Sequence, residues 1–301
     1  MKGILSTTSL GFVFLINFCL KVPCTDADTI YVSTFNFNTI DKFDSTGSGS
    51  VFATSASGLN YPTGLALDSS GNLYVANAGN NTIEEFNSVG TGTVFATSGL
   101  NGPIGLASDK SGNLYVANSV DNTIEKFDSG GTGSVFATAS SGLNSPGGLA
   151  FDSSGNLYVA NNGNNTVLEF DSSGTGSVFA TAASGVNNPG DLAFYGGNLF
   201  LANGGNNTIE KFDLSGHGSI FTSTNLVSFP IGLGFDSSGN LYVGNHGDGD
   251  ILKFDQDAIG SVFAYGLEGA ANDIAIEVPE PSSLLLAGYG LLALALFRRR
   301  H

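Results

Sequence analysis

The sequence predicts an all-β fold, a six-bladed β-propeller of four-stranded antiparallel blades, and three observations lead to it. A motif of the form GNLYVAN recurs along the chain, three other motifs recur in step with it, and turn residues separate the four. The aromatic residue of the first motif stands at Tyr31, Tyr74, Tyr115, Tyr158, Phe200 and Tyr242, at spacings of 43, 41, 43, 42 and 42 residues. A period of this length with four short strands per unit is typical of propeller blades.

Each unit contains four short runs of β-branched and aromatic residues, the composition that strands favour. The second unit reads PTGLALD at 62–68, GNLYVAN at 71–77, NTIEEFN at 81–87 and TVFAT at 93–97. Turns such as DSSGN and SSGTG join the runs, as tight hairpins require. Both faces of the GNLYVAN strand are apolar, which fits a blade packed between two neighbours. A β-sandwich would leave one face of each strand solvated, and a β-helix would use shorter coils without hairpins.

The two ends of the repeat region complement each other. The first unit begins at its second strand, TIYVSTF at 29–35, with no PTGLALD run before it. The run ANDIAIEV at 271–278 corresponds to this missing strand. We therefore expect the amino- and carboxyl-terminal strands to share one blade and close the ring. The run GLALD should be the innermost strand, because Gly and Ala suit the crowded axis.

Charge and cysteine content restrict the function and the compartment. Between Thr25 and Glu277 there are 5 Lys and 25 Asp plus Glu, a net charge of −20. Such a surface repels phosphate groups, so we expect neither nucleic acid nor an anionic membrane surface as a partner. Both cysteines, Cys19 and Cys24, lie in an apolar leader that is typical of a secretory signal peptide. The predicted organisation is a signal peptide at 1–24, a propeller at 25–277 and a separate carboxyl-terminal tail at 278–301.

The repeat motif resembles a known family. The pattern P-x-G-L-A-x-D-x-x-G-N-L-Y-V-A-N, at 62–77 and in four near-copies, is similar to the repeats of NHL propellers. That family mostly binds proteins, peptides or RNA, and similar propellers include lyases and lactonases. This chain departs from the family pattern in having Asn where NHL units usually have Asp, at Asn77, Asn118, Asn161, Asn203 and Asn245. Its acidic charge argues against the RNA role.

The carboxyl terminus carries a second resemblance. Val278, Pro279, Glu280 and Pro281 precede an apolar run from Leu284 to Phe297, and Arg298, Arg299 and Arg300 follow it. The run predicts a short hydrophobic helix, shorter than the about 20 residues that a permanent membrane span needs. The three parts in this order resemble PEP-CTERM sorting signals, which an exosortase-type membrane protease recognises in Gram-negative bacteria that make exopolysaccharide. The resemblance implies export through the inner membrane, transient anchoring by the helix, and display at the cell surface or release.

Departures from the repeat mark candidate functional residues. At one position of the innermost strand most units have Gly, but two have Asp191 and Asp273. We expect both carboxylates at the mouth of the central channel, two blades apart. There they would bind a ligand or, with backbone carbonyls, Ca²⁺; the alternative is that each Asp only caps its own turn. His217 and His246 fall in loops on opposite faces of the disc, which excludes a shared histidine-based acid–base site.

Two functions from different classes remain open. The first is an exported, non-catalytic binding or scaffold propeller, monomeric and without a cofactor, whose partner is a glycan or a surface protein. The alternative is a Ca²⁺-dependent, gluconolactonase-like hydrolase or lyase that acts through Asp191 and Asp273. The near-identity of the units favours the first, because a catalytic site requires blades to diverge.

Overall fold

Each repeat unit folds into one four-stranded antiparallel sheet, and six such sheets make up the described molecule. The computed structural model describes residues 28–267 and 271–279. The innermost strands are β4 (Pro62–Leu67), β8 (Pro103–Ser108), β12 (Pro146–Phe151), β16 (Pro189–Tyr195), β20 (Pro230–Phe235) and β24 (Ala271–Glu277). The second strands are β1 (Thr29–Thr34), β5 (Leu73–Asn77), β9 (Leu114–Asn118), β13 (Leu157–Asn161), β17 (Asn198–Asn203) and β21 (Leu241–Asn245).

The outer half of each sheet repeats in the same way. The third strands are β2 (Thr39–Phe43), β6 (Thr82–Phe86), β10 (Thr123–Phe127), β14 (Thr166–Phe170), β18 (Thr208–Phe212) and β22 (Ile251–Phe254). The outermost strands are β3 (Gly49–Ala53), β7 (Gly92–Ala96), β11 (Gly133–Ala137), β15 (Gly176–Thr181), β19 (Gly218–Thr222) and β23 (Gly260–Ala264). Short 3₁₀ turns cover Ser55–Ser57, Ala139–Ser141, Asn162–Asn164 and Ala182–Ser184.

The predicted six-bladed propeller and its closure are confirmed. The innermost strands contact one another in sequence around the ring, and β24 contacts both β20 and β4. Blade 1 has the strand order β24-β1-β2-β3, so it is built from both ends of the repeat region; blades 2 to 6 follow in chain order. In β24, Ile274 and Ile276 pair with Val32 and Ile30 of β1. The ring therefore closes by backbone hydrogen bonds between the first and last described strands.

The core consists of layers between adjacent blades. In β5, Leu73 and Val75 face blade 1, whereas Tyr74 and Ala76 face blade 3. All four are buried, and this explains why the second strand is apolar on both faces. The aromatic residue of the second strand packs edge-on against the Phe of the outermost strand, as in Tyr158 and Phe179, whose ring centroids are 4.9 Å apart. The same contact recurs in every blade, so the aromatic spacing in the sequence reports a repeated packing unit.

Asparagine side chains connect the loops of one face. The buried Asn118 at the end of β9 accepts a hydrogen bond from the Asn101 N–H at 3.1 Å and donates one to the Gly99 carbonyl at 2.8 Å. Asn81 adopts a left-handed conformation (φ 56°) in the β5–β6 hairpin, where its Oδ1 accepts from the Gly102 N–H of the next blade at 2.8 Å. Equivalent residues do the same in other blades. The Asn-rich motif is therefore explained by loop geometry and by contacts between blades.

The repeated aspartates of the DSSGN turns have the structural role expected of them. Asp68 Oδ1 accepts hydrogen bonds from the backbone N–H groups of Ser70 and Asn72 at 2.8 and 2.9 Å. Asp109, Asp152 and Asp236 make the same pair of bonds. These carboxylates hold the hairpins between the first and second strands.

Two predicted segments lie outside the described residues. They are the signal peptide at 1–24 and the short hydrophobic helix between Leu284 and Phe297. Within residues 28–267 and 271–279, the structure contains no helix long and apolar enough to cross a membrane.

Candidate functional site: the central channel

The third residues of the innermost strands form a ring around the channel, where the backbones of neighbouring blades approach each other closely. In blade order from blade 2 to blade 1, this ring consists of Gly64, Gly105, Gly148, Asp191, Gly232 and Asp273. A Cβ atom added to Gly64 would collide with the Ile104 carbonyl oxygen, and one added to Gly105 would collide with that of Gly147. Glycine is therefore required at these positions by the close approach of neighbouring backbones. Five innermost strands begin at their proline, two residues before the GLALD run that was predicted to form them, and β24 begins at Ala271, the first residue of its ANDIAIEV run.

The two aspartates tie neighbouring blades together across this ring. Asp191 Oδ2 accepts a hydrogen bond from the Leu233 N–H of blade 6 at 3.1 Å. Asp273 Oδ2 accepts from the Leu65 N–H of blade 2 at 2.7 Å, and its Oδ1 accepts from the Ile274 N–H at 2.8 Å. Although they come from blades 5 and 1, the two side chains are close enough to interact electrostatically. The sequence prediction that they converge on the axis agrees with this placement.

The proximity of the two carboxyl groups changes their acidity. Burial raises the pKa of Asp191 well above its ordinary value, and the negative charge of Asp273 raises it further. Burial also raises the pKa of Asp273, to about 6, and the backbone N–H groups of Leu65 and Ile274 offset part of the rise. Such a pair favours a state in which one carboxyl group is ionised while the other keeps its proton.

The aspartate pair separates two cavities along the axis. One cavity, of about 490 Å³, opens on the face of the Asn-rich loops; we call it the mouth cavity. The other, of about 250 Å³, lies on the opposite side among residues such as Leu67, Leu106 and Ile276. Asp191 and Asp273 line both cavities. They therefore form the floor of the mouth cavity and lie below its rim.

The wall of the mouth cavity consists of positions at which the repeats differ. The residue after the second strand, or after its terminal Asn, lines the cavity as Phe35, Ser119, Asn162, Gly204 and His246. The residue before the strand proline contributes Ser145, Asn188 and Phe229. The second residue of each innermost strand contributes Thr63, Ile104, Gly147, Gly190, Ile231 and Asn272. Of these residues, the sequence singled out only His246, for its chemistry, and did not predict that they share one wall. The available signal was variation at fixed positions within repeats that are otherwise nearly identical.

The two histidines lie on opposite faces, as predicted. His246 lines the mouth cavity, its ring lies 5.8 Å from that of Phe229, and its buried Nδ1 has no hydrogen-bond partner among the described residues. His217 is exposed in the β18–β19 turn, where its Nδ1 lies 3.3 Å from Asp213 Oδ2. No shared histidine site exists, and in the described ranges no group of three or more His, Cys, Asp or Glu is arranged to hold a metal ion.

Comparison with protein families agrees with both resemblances. The NHL repeat model matches residues 59–86, the SMP-30/gluconolactonase/LRE-like region model matches residues 95–202, and the PEP-CTERM protein-sorting motif matches residues 277–300. No curated protein matches the chain.

Solved structures share the fold at low sequence identity. A chain of a nidogen/laminin complex superposes with a TM-score of 0.73 at 19% identity, over 83% of this chain and 98% of that chain. A streptogramin B lyase gives 0.63 at 16% identity, over 83% and 90%. A virginiamycin B lyase from Staphylococcus aureus gives 0.57 at 15% identity, over 69% and 71%. At these identities the likeness establishes the architecture alone. The chain is thus a six-bladed β-propeller in which residues 59–86 match the NHL repeat and residues 277–300 match the PEP-CTERM sorting motif.

Proposed function

We propose that this exported protein is a non-catalytic binding propeller that holds its ligand in the mouth cavity. The observation that carries the proposal is the distribution of variation among the blades. Residues that repeat make strands, turns and contacts between blades, whereas many of those that vary line the mouth cavity. Variation is not needed for the fold, because each blade already packs with the repeated residues.

The chemistry of the cavity supports binding over catalysis. Asp191 and Asp273 already accept backbone hydrogen bonds from neighbouring blades, which gives both carboxylates a structural role. His246 is the one other titratable residue among the described residues that line the cavity, and it belongs to the wall. The volume falls within the about 300–1,000 Å³ of ordinary ligand pockets. The ligand is a glycan or a surface protein, and the propeller acts as a monomer.

A substitution at the cavity wall tests this proposal. Ile104 is 38% exposed, so Ile104→Arg should fill part of the mouth without disturbing the core. Immobilised polysaccharide and surface-protein fractions from the host would serve as probes. We expect Ile104→Arg to weaken retention at least tenfold, while Leu214→Arg on the opposite face leaves it unchanged. Equal retention of both variants would show that the mouth is not the binding surface.

A Ca²⁺-dependent hydrolase or lyase is the second candidate, favoured by the convergence of Asp191 and Asp273 and by the match over residues 95–202. Ca²⁺ takes six to eight oxygen ligands, and this pair supplies only part of such a shell. If this candidate is right, millimolar Ca²⁺ raises the melting temperature, Asp191→Asn with Asp273→Asn abolishes the rise, and the wild type hydrolyses a lactone or glycan. Absence of the rise in the wild type would rule the candidate out.

We further propose that the sorting tail is processed after export. The PEP-CTERM motif supports export with a membrane-anchored signal. Cleavage by an exosortase-type protease near Val278, Pro279, Glu280 and Pro281 would free the propeller from the hydrophobic segment and from Arg298, Arg299 and Arg300, and would leave it at the cell surface or in extracellular polysaccharide. Intact-mass measurement of the protein from its host tests this directly. A chain that still ends at His301 would show that the segment is retained as an anchor.

A further inference from the structure

The rim and wall of the mouth are divided into an aromatic side and a polar side. Blades 6, 1 and 2 and their connecting loops supply four rings, which belong to Phe35, Tyr61, Phe229 and His246. Phe35 packs against Tyr61, with ring centroids 4.9 Å apart, and Phe229 packs against His246. Apart from Ile104, the wall from blades 3 to 5 consists of small or amide-bearing residues such as Ser119, Ser145, Asn162 and Asn188.

Two of the rings are held in an unfavourable backbone conformation. The residue before the innermost-strand proline has a left-handed φ in five blades: 50° at Tyr61, 61° at Gly102, 48° at Ser145, 50° at Asn188 and 48° at Phe229. Gly and Asn tolerate this region well, whereas bulky aromatic residues rarely occupy it. In both aromatic cases an Asn of the preceding blade holds the loop: Asn38 Oδ1 accepts from the Tyr61 N–H, and Asn207 Oδ1 accepts from the Phe229 N–H.

Packing does not explain the choice of aromatic residues at these positions. Tyr61 is 45% exposed and Phe229 is 39% exposed, so neither ring gains the burial that would offset its backbone cost. Exposed apolar groups at strained positions are characteristic of binding sites. On the same side of the cavity, the buried Nδ1 of His246 has no hydrogen-bond partner among the described residues.

The charge of the cavity restricts the ligand. No Lys or Arg lies among the described residues that line it, and its floor carries the aspartate pair. The negative charge of the floor would therefore repel an anionic ligand, while amide and hydroxyl groups of the wall offer donors and acceptors to a neutral one. Flat apolar faces opposite amides match a pyranose ring, which has an apolar C–H face and a rim of hydroxyl groups.

We propose that the mouth cavity binds a neutral oligosaccharide, with sugar faces stacked on the rings around Tyr61 and Phe229. Asn162 Nδ2 already donates to Asn188 Oδ1 and to the Pro189 carbonyl, at 2.7 and 3.1 Å. The hydroxyl groups of the sugar therefore bond to the other amide atoms of this side, Asn162 Oδ1 and Asn188 Nδ2. This inference rests on the proposed function of the mouth and adds the class of ligand and the residues that select it. It also gives a role to Tyr61 and Phe229, the two aromatic residues that stand before the strand proline where the other blades have Gly, Ser or Asn.

The test uses substitutions that the other blades already contain. Tyr61→Asn and Phe229→Asn each introduce the residue that blade 5 has at the equivalent position, Asn188. Each substitution removes a ring and relieves the strain of a left-handed φ at an aromatic residue. Leu214→Ser is the matched control, because Ser172 occupies the equivalent position on the opposite face. The protein purified from its host is titrated with neutral gluco-, xylo- and manno-oligosaccharides of four to six units, and its melting temperature is measured.

We expect the wild type to bind at least one of these oligosaccharides. Each Asn variant should weaken that binding at least tenfold without lowering the melting temperature, and Leu214→Ser should bind like the wild type. Oligosaccharide binding that both Asn variants retain in full would overturn the aromatic subsite. If no neutral oligosaccharide binds, but Ile104→Arg still blocks a charged glycan or a peptide, the ligand class is wrong and the proposed function of the mouth stands.

Discussion

At the scale of single residues, three blades bury a glutamate in the third strand, at a position where a carboxyl group does not favour stability. Glu84, Glu125 and Glu210 are 4%, 7% and 5% exposed in the third strands, and burial raises the pKa of each. At the same position, blades 4 and 6 have the buried Leu168 and Leu252. The fold therefore accepts an apolar side chain at a site where these blades bury a carboxyl group.

We predict that Glu125→Leu stabilises the protein at pH 7.5. A glutamate whose pKa is raised by folding stabilises the native state most at low pH, and this contribution is lost as the pH rises above the ordinary value of 4.5. Removing the buried charge should raise the free energy of unfolding by about 1 kcal/mol and the melting temperature by roughly 2–4 °C. Leu168→Glu is the reciprocal control and should lower both. A lower melting temperature for Glu125→Leu at pH 7.5 would contradict the argument.

The aspartate pair gives a second pH-dependent prediction at the residue scale. The native pKa of Asp273, about 6, lies above its ordinary value of 3.8, and that of Asp191 is also raised. The native state thus binds more protons than the unfolded state, so the pair's contribution to stability falls as the pH rises through about 6. Asp191→Asn keeps an acceptor for the Leu233 N–H and removes the charge conflict. Denaturation at pH 5, 6, 7 and 8 should show a flatter profile for this variant, with its gain over the wild type largest at pH 8.

A turn aspartate is the control for this profile. Hydrogen bonds from Ser173 and Thr175 lower the pKa of Asp171, which therefore stays ionised across the measured range. Asp171→Asn should leave the slope between pH 5 and pH 8 unchanged. If Asp191→Asn also keeps the wild-type slope, the pair does not share a proton as inferred.

At the scale of the strand, close backbone contacts restrict which residue can occupy the third position of the innermost strand. Gly64→Ala would place a methyl group against the backbone of blade 3, where the nearest atom is the Ile104 carbonyl oxygen. Because neither partner is a flexible side chain, we predict a loss of about 2–4 kcal/mol in the free energy of unfolding. Gly130, in the exposed β10–β11 turn, has only Asp128 Oδ1 near an added Cβ, so Gly130→Ala should cost less than about 1 kcal/mol. Chemical denaturation of the two variants checks the difference, and equal losses would contradict the crowding argument.

The same strand shows how far the sequence could predict the structure. Its repetition every 41 to 43 residues predicted the blades, and the two aspartates that interrupt the glycine pattern were correctly placed near the axis. The interaction between Asp191 and Asp273 could not be predicted, because it depends on ring diameter and side-chain direction. The mouth wall was missed for a different reason: residues such as Ser119 and His246 follow the motif and vary between blades, so they do not stand out as a pattern. Their common location becomes visible only when the blades are arranged in a ring.

At the scale of the whole molecule, the stability of the ring depends on the strand that joins its ends. β24 pairs with β1 along its length and packs against β20 and β4, so it completes blade 1 and covers the inner sides of two other blades. Ala271, Ile274 and Ala275 are buried in these contacts. Without β24, β1 would expose an unpaired edge beside an open apolar layer, which favours aggregation.

We therefore predict that a chain that ends at Ala270 loses cooperative unfolding or aggregates, whereas a chain that ends at Pro279 melts like the full-length protein. The matched point variant is Ile274→Asp, which places a charge at a side chain that is 5% exposed and should lower the free energy of unfolding by at least about 3 kcal/mol. Val278→Asp is its control, because Val278 is 46% exposed, and it should cost less than about 0.5 kcal/mol. Differential scanning calorimetry and light scattering distinguish the cases. An unchanged melting transition in the chain that ends at Ala270 would show that β24 is not needed for the stability of the ring. That result would contradict the closure argument.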